Sequence, residues 1–225
     1  MTEKIRIAID GPSGAGKSTI AKTVAGRLGL EYVDTGAMYR AIGLKMGRLA
    51  MKAEESPALQ AMLDETEIDF RHGEIVLDGQ IVSGQIRTPE ISMAASSCSA
   101  LPMVRRKLVE LQQKMGREKS IIMDGRDICE VVLPDAELKF YLTASAQERA
   151  RRRTEELLEK GEKADFSQVL KEIEQRDYND SHRTVSPLRK AEDAEEIDST
   201  AMSIEEVADL ICSRAHAYLA GTTAR

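Results

Sequence analysis

Cysteine is scarce in this chain: Cys98, Cys129 and Cys212 are the only three, and no C-x-x-C pair joins them. That excludes a zinc ribbon or a dithiol centre and fits reduced, structural thiols. Histidine is as thin, with His72, His182 and His216 far apart, so a histidine-based metal cluster is excluded as well. No run of 18 apolar residues exists to span a bilayer, and Met1-Thr2-Glu3-Lys4 leads into the first apolar run without a signal-like segment. The expectation is a cytoplasmic protein with no membrane partner. Basic residues do not prevail either: 32 Lys and Arg face 38 Asp and Glu, a net charge of −6. A general attraction to nucleic acid is therefore not expected, and no nucleic-acid polymer is a partner. Internal repeats and low-complexity tracts are also missing. Asn179-Asp180-Ser181 matches a glycosylation acceptor, but a protein that is not secreted has no use for it.

What is present begins with an apolar run, Ile5-Arg6-Ile7-Ala8-Ile9, suited to a buried strand. Directly after it, Gly11-Pro12-Ser13-Gly14-Ala15-Gly16-Lys17-Ser18 matches the phosphate-loop pattern G-x-x-x-x-G-K-[ST] in full. Ile20, Val24, Ala25 and Leu28 then recur at helical spacing, and Gly29 stands where a helix would stop. Strand, glycine loop and helix start thus occur in order. In that geometry backbone amides of Gly11, Gly14 and Gly16 close around phosphate oxygens, and the helix start adds partial positive charge. Lys17 would reach the β- and γ-phosphates of a nucleoside triphosphate, and the Ser18 hydroxyl would ligate Mg²⁺. Gly11, Pro12, Ser13, Gly14, Ala15, Gly16, Lys17, Ser18 and Thr19 are the candidate triphosphate-binding residues. The stretch fails as a dinucleotide fingerprint, because Thr19 stands where the third glycine is needed.

With 225 residues and 42% hydrophobic content, the chain suits one α/β domain carrying an insertion. Further strands are expected at Glu31–Val33, Ser120–Asp124, Leu138–Leu142 and Glu195–Ile197. Helices are expected at Thr35–Leu49, Met103–Arg117, Ala146–Lys160 and Phe166–Arg176, with a last one after the capping box Ser203-Ile204-Glu205-Glu206. Val207, Ala208, Ile211, Ala215 and Leu219 form the core-facing stripe of that last helix. Alternating β and α units imply a parallel sheet covered by helices. Residues 67–87 break the pattern with three short strand-like runs separated by His72-Gly73 and Asp78-Gly79, a small antiparallel insertion that covers or selects a ligand.

In open α/β sheets the ligand lies beyond the carboxyl ends of the strands. Asp34-Thr35-Gly36-Ala37-Met38-Tyr39-Arg40 follows the second strand, and Asp124-Gly125-Arg126-Asp127 follows the third. Asp124 could hold the Mg²⁺ shell while the Arg126-Asp127 pair addresses a second substrate. Arginines then cluster at Arg149, Arg151, Arg152 and Arg153, followed by Arg176, Arg183 and Arg189. Arg176, Asp180 and Arg183 are spaced i, i+4, i+7, so a continuous helix puts them on one face spread over about 10 Å. Two guanidinium forks on one face can grip a phosphoryl group, which phosphoryl transfer needs because its transition state spreads charge over the equatorial oxygens. The competing readings are an ordinary intrahelical ion-pair ladder for the Arg176-Asp180-Arg183 face and, open for Arg151, a solvated helix face balanced by Glu148, Glu155 and Glu156.

Taken together, Ile9 to Ser18, Asp34 to Arg40, Ser83-Gly84-Gln85-Ile86-Arg87-Thr88, Met123 to Asp127, Arg176 to Arg183 and Asp198-Ser199-Thr200 resemble the bacterial-type cytidylate kinases, of the nucleoside monophosphate kinase group. The resemblance runs nearly end to end. It implies an α/β P-loop three-layer fold with a central parallel sheet, a small antiparallel insertion in the monophosphate-binding region and a helical lid. It implies a single P-loop kinase domain over residues 1–225, a monophosphate-binding region at 35–105 that includes the 67–87 insertion, and a lid at 149–165. The implied reaction is transfer of the γ-phosphate of ATP to CMP or dCMP in pyrimidine nucleotide metabolism. Thr35, Arg40, Ser96, Arg105, Arg126, Asp127, Arg176 and Asp180 would bind the cytidine monophosphate. Within that set Ser96, Arg105, Arg126 and Asp127 would read the base, Arg40 and Arg176 hold the α-phosphate, and Asp180 take the sugar hydroxyls. Lys17, Arg152, Arg153 and Arg183 would form the catalytic set. Thr35 departs from the serine common in the family, keeping the hydroxyl and adding a methyl.

Two rival readings share the phosphate loop. A regulatory GTPase needs Asn-Lys-x-Asp to read guanine, yet the one asparagine, Asn179, is followed by Asp180. A P-loop kinase for another small acceptor, such as shikimate or AMP, is nearer, and the antiparallel insertion with Asp124-Gly125-Arg126-Asp127 favours cytidine. An ATP-binding switch protein would show no transfer at all. The acidic chain, without an evident exposed apolar stripe, favours a monomer.

Overall fold

The computed structural model describes residues 4–71 and 73–223, so Met1–Glu3 and His72 of the expected His72-Gly73 turn lie outside the described residues. The chain forms two compact units: one contains the residues up to Tyr32 and those from Ser120 onward, the other Val33–Lys119.

The first unit is built on parallel strands. β1 (Arg6–Asp10), β2 (Glu31–Asp34), β6 (Ile121–Gly125), β7 (Leu138–Thr143) and β8 (Glu195–Asp198) line up in the order β2-β6-β1-β7-β8. Strand order that departs from chain order requires crossover connections, which is why the helices lie between the strands in sequence. β1 is central and buried from Ile7 to Asp10, as its apolar run dictates. Its register aligns Ile9 with Asp124 and Asp10 with Gly125, so β1 and β6 end level. Their following loops therefore start side by side.

Helix α1 (Lys17–Leu28) and the C-terminal helix α8 (Ile204–Thr223) pack over this sheet. Ile7, Ile9, Val24, Phe140, Leu142, Val207, Ile211 and Ala215 make one core with them. Gly29 ends α1 at φ 64°, the left-handed conformation that glycine adopts without strain. The expected capping box closes as written: Ser203 Oγ accepts from Glu206 N at 3.2 Å, and Ser203 N donates to Glu206 Oε2 at 2.8 Å.

The second unit holds α2 (Thr35–Arg48), α3 (Pro57–Asp64), α4 (Pro89–Cys98) and α5 (Pro102–Glu118). It also holds the antiparallel sheet β3 (Ile68–Arg71), β4 (Glu74–Leu77) and β5 (Gln80–Ile81). Asp78 and Gly79 both have positive φ, 48° and 79°, as a type I′ turn requires. Helices α3 and α4 had no counterpart in the sequence reading. Both begin at a hydroxyl cap followed by proline, Ser56-Pro57 and Thr88-Pro89, with the cap oxygens accepting from Leu59 N and Ile91 N. Helix α6 (Ala146–Glu159) matches expectation, whereas α7 runs from Phe166 to His182, six residues past the expected end.

Candidate active site

In the first unit, the loop between β1 and α1 is shaped by close approach. A Cβ on Gly11, at φ 152°, would stand 1.9 Å from the Leu142 carbonyl oxygen of β7. Gly14 and Gly16 also have positive φ, 75° and 84°, and Gly16 is the N-cap of α1. Backbone turned in this way presents consecutive N–H groups to an anion. Lys17 is 6% exposed, its Nζ donating to the Pro12 carbonyl at 2.8 Å. Burial, and then the neighbouring Arg126 guanidinium, hold its ammonium well below the usual lysine range. An anion in the loop would relieve both effects.

Ser18 Oγ donates to Asp124 Oδ2 at 2.9 Å, and Tyr32 donates from its hydroxyl to Asp124 Oδ1 at 2.8 Å. The end of β6 thus sets a buried carboxylate beside the exposed serine hydroxyl, both hard oxygen donors. One step on, Arg126 Nε donates to Asp180 Oδ2 at 2.8 Å, and Arg183 faces Asp127 at 3.7 Å. Burial acts to raise the Asp180 carboxyl, but Arg126, with Arg176 and Arg183, outweighs it and holds the group below the ordinary carboxylate range. Asp10, 1% exposed, accepts from Ile128 N at 2.9 Å and Cys129 N at 2.8 Å. Burial nevertheless pushes its carboxyl up to about 6.

In the second unit, Asp34 caps α2 by accepting from Ala37 N at 2.8 Å, and its other oxygen accepts from Arg40 at 2.9 Å. Gly36 lets this happen, since a Cβ there would crowd both Arg40 and Asp34 at 3.2 Å. Arg40 Nε is buried with no hydrogen-bond partner among the described residues, a donor suited to an anion. Thr35 is buried at the start of α2, Arg105 lies over the Tyr39 ring at 5.9 Å from its centroid, and Ser96 is exposed on α4.

Residues 7–217 match the protein-family profile described as cytidylate kinase. The chain is 54% identical over 209 residues to a cytidylate kinase of Caldicellulosiruptor saccharolyticus, covering 91% of this chain and 92% of the relative. It is 50% identical over 214 residues to one of Desulforamulus reducens, covering 94% and 96%. The chain belongs to the cytidylate kinase family. Its reaction is that of the family, phosphoryl transfer from ATP to CMP or dCMP in pyrimidine metabolism. Among solved structures, an uncharacterized protein from Eubacterium ventriosum shares the fold at 14% identity and TM-score 0.53, covering 96% of this chain and 99% of that one.

In this cytidylate kinase the arginine cluster divides by helix face. Arg151 pairs with Glu148 and Glu155 in solvent, so the solvated-face reading applies to it. Arg153 pairs with Glu156 and is half-exposed. Arg152 turns to Glu148 and to the Ser199 carbonyl at 2.7 Å. Within this cluster it is Arg149, placed by sequence at the start of the lid but outside the catalytic set, that touches the phosphate loop. It is 5% exposed, donates to Ser13 O at 2.9 Å and forks onto both Asp177 oxygens of α7. Arg176 and Asp180 are on α7 as expected, but Arg183 has left the helix, at ψ 145°.

Arg149→Ala is expected to destabilise the protein by about 3 kcal/mol, because it strands the Asp177 carboxylate and frees the Ser13 carbonyl. Arg151→Ala, by contrast, should change stability by less than about 1 kcal/mol. Paired denaturant titrations check this; equal effects would mean that the two arginines are not divided as described.

Proposed function

We propose that ATP binds at Gly11–Thr19 with Lys17 on its β- and γ-phosphates, and that cytidine monophosphate is read by the loop following β6. The observation that carries this reading is the level ending of β1 and β6. It starts the phosphate loop beside Asp124-Gly125-Arg126-Asp127, with Arg126 held to Asp180. Ser18, with Asp124 beside it, would hold Mg²⁺, which supplies charge neutralisation on the triphosphate. Lys17, Arg152, Arg153 and Arg183 make up the catalytic set. Arg126 and Asp127 address the base, Arg176 the α-phosphate and Asp180 the sugar hydroxyls. From the second unit, Thr35, Arg40, Ser96 and Arg105 are assigned monophosphate contacts by position in the family pattern, Arg40 on the phosphate and Ser96 and Arg105 on the base.

No covalent intermediate is needed. The arginines stabilise the moving phosphoryl group, and closure of the 149–165 lid excludes water. Arg153 reaches a phosphate by giving up one exposed ion pair, a change of about 0–1 kcal/mol. Arg152 must release the Ser199 carbonyl as well, so its contact depends more on lid movement. The 35–105 region, with its 67–87 antiparallel insertion, is the monophosphate-binding region. The protein is assigned to the cytoplasm as a monomer; among the described residues no helix is long and apolar enough to cross a membrane.

The test is ADP release from Mg-ATP with CMP, dCMP, UMP, AMP, GMP and shikimate offered singly beside a no-acceptor control. Preference for CMP and dCMP is expected. Acceptor-independent hydrolysis, or a better rate with another acceptor, would overturn the reading. Within the same assay Arg126→Ala should erode discrimination among bases, whereas Arg40→Ala should raise KM for every monophosphate alike. Identical selectivity changes in both would refute the split between base and phosphate contacts.

A further inference from the structure

We infer that Asp10 is a positioning residue for the acceptor: it takes over the capping of the helical turn after β6 and so leaves the Asp127 carboxylate facing Arg183 and the acceptor. The inference rests on the assignment of Arg126 and Asp127 to cytidine monophosphate.

Residues Ile128–Val132 form a π-helix, closed by Leu133 N donating to Ile128 O at 2.7 Å. Such single wide turns recur at functional sites. The first amides of any helix lack intrahelical acceptors, and an aspartate at the N-cap ordinarily supplies one with its own side chain. Asp127 occupies that N-cap position, yet its side chain makes no capping hydrogen bond. Two of the orphan amides, Ile128 N and Cys129 N, are taken instead by the two oxygens of Asp10 from the end of β1. The Asp127 carboxylate lies 3.7 Å from the Arg183 guanidinium. Cys129 Sγ, against the Ala8 and Phe140 carbonyls at 3.7 Å, fastens the same turn to β1 and β7.

Asp10 is also the residue just before Gly11. One buried carboxylate therefore ties the start of the ATP loop to the start of the acceptor loop. When its oxygens no longer serve the two amides, Asp127 is the nearest alternative cap, and rotating into that role withdraws it from the acceptor.

The experiment uses the full chain with Asp10→Asn, which keeps the shape but turns an NH₂ toward one of the amides, and Asp10→Ala, which removes both acceptors. KM for CMP is measured by ADP release, and ADP affinity by titration calorimetry. Asp10→Asn is expected to raise KM for CMP at least tenfold while the ADP Kd stays within twofold, and Asp10→Ala is expected to do so more strongly. A KM for CMP within twofold of the unaltered protein overturns the inference. So does a common factor on CMP and ADP, which is what a merely structural role at the end of β1 would produce. Asp127→Asn serves as the control for the underlying assignment and should itself raise KM for CMP. If it does not, the assignment fails and the inference with it; if it does while Asp10→Asn is silent, the inference alone fails. Should the Asp10 variants not fold, amide exchange at Ile128 and Cys129 in the unaltered protein decides. Saturating CMP is expected to slow it at least fivefold and ADP to leave it within twofold, and an equal response to both ligands overturns the inference.

Discussion

Lys17→Ala is expected to lower kcat by about 10³-fold while CMP affinity stays within about twofold, because in the proposed site the lost cation would act on the triphosphate as charge moves and not on the acceptor. In the folded protein Lys17 is buried, with its Nζ held over the phosphate loop by the Pro12 carbonyl. Its ammonium is disfavoured there by burial and by Arg126, and an incoming anion would favour the charged form again. Alanine removes that cation without removing a protein ion-pair partner, and the fold should survive. The check is steady-state kinetics beside calorimetric titration of CMP. Equal losses of turnover and of CMP binding would point to a misfolded variant or to a different role for Lys17.

Gly11→Ala should destabilise the protein by about 3 kcal/mol, from overlap and a strained backbone together. For a chain of this size that corresponds to a fall in Tm of about 10 °C. The added Cβ would meet the Leu142 carbonyl oxygen at 1.9 Å, and the glycine φ is 152°. Leu142 cannot yield easily, since β7 pairs with β1 on one side and β8 on the other. Gly26 of α1 makes the contrast: a Cβ there meets nothing within 4 Å, and Gly26→Ala should stabilise the helix by up to about 1 kcal/mol. Thermal unfolding of both variants tests the pair. A Gly11→Ala protein melting within about 2 °C of the parent would show that the loop adjusts freely.

Much of the architecture was legible in the amino-acid order because the signals are local. The phosphate loop is contiguous, with glycines where positive φ is needed. The capping box of α8, the Asp78-Gly79 turn and the apolar runs of β1, β6 and β7 each act within a few residues. Helices α3 and α4 escaped notice although Ser56-Pro57 and Thr88-Pro89 announced them, since a short helix carries too few turns for its apolar spacing to stand out. The true end of helix α7 does not stand out in the sequence because Arg176 to His182 is almost wholly polar. Its continuation is seen in the helical backbone and in Tyr178 stacked on His182 at 4.0 Å.

The candidate site divides along the same line. Residue type and spacing alone located the glycine loop and the Asp124-Gly125-Arg126-Asp127 string proposed above for triphosphate and acceptor, because both are short strings whose chemistry resides in their own atoms. Which of four crowded arginines meets the loop was decided by packing: α6 lies on α7 with Arg149 inward, leaving Arg151 to its surface glutamates. The partners of Asp10 were decided by the β1–β6 register, which brings residues more than a hundred positions apart within hydrogen-bonding distance. Periodicity reports which face of an element is apolar, but only the assembled sheet determines which buried polar group finds which partner.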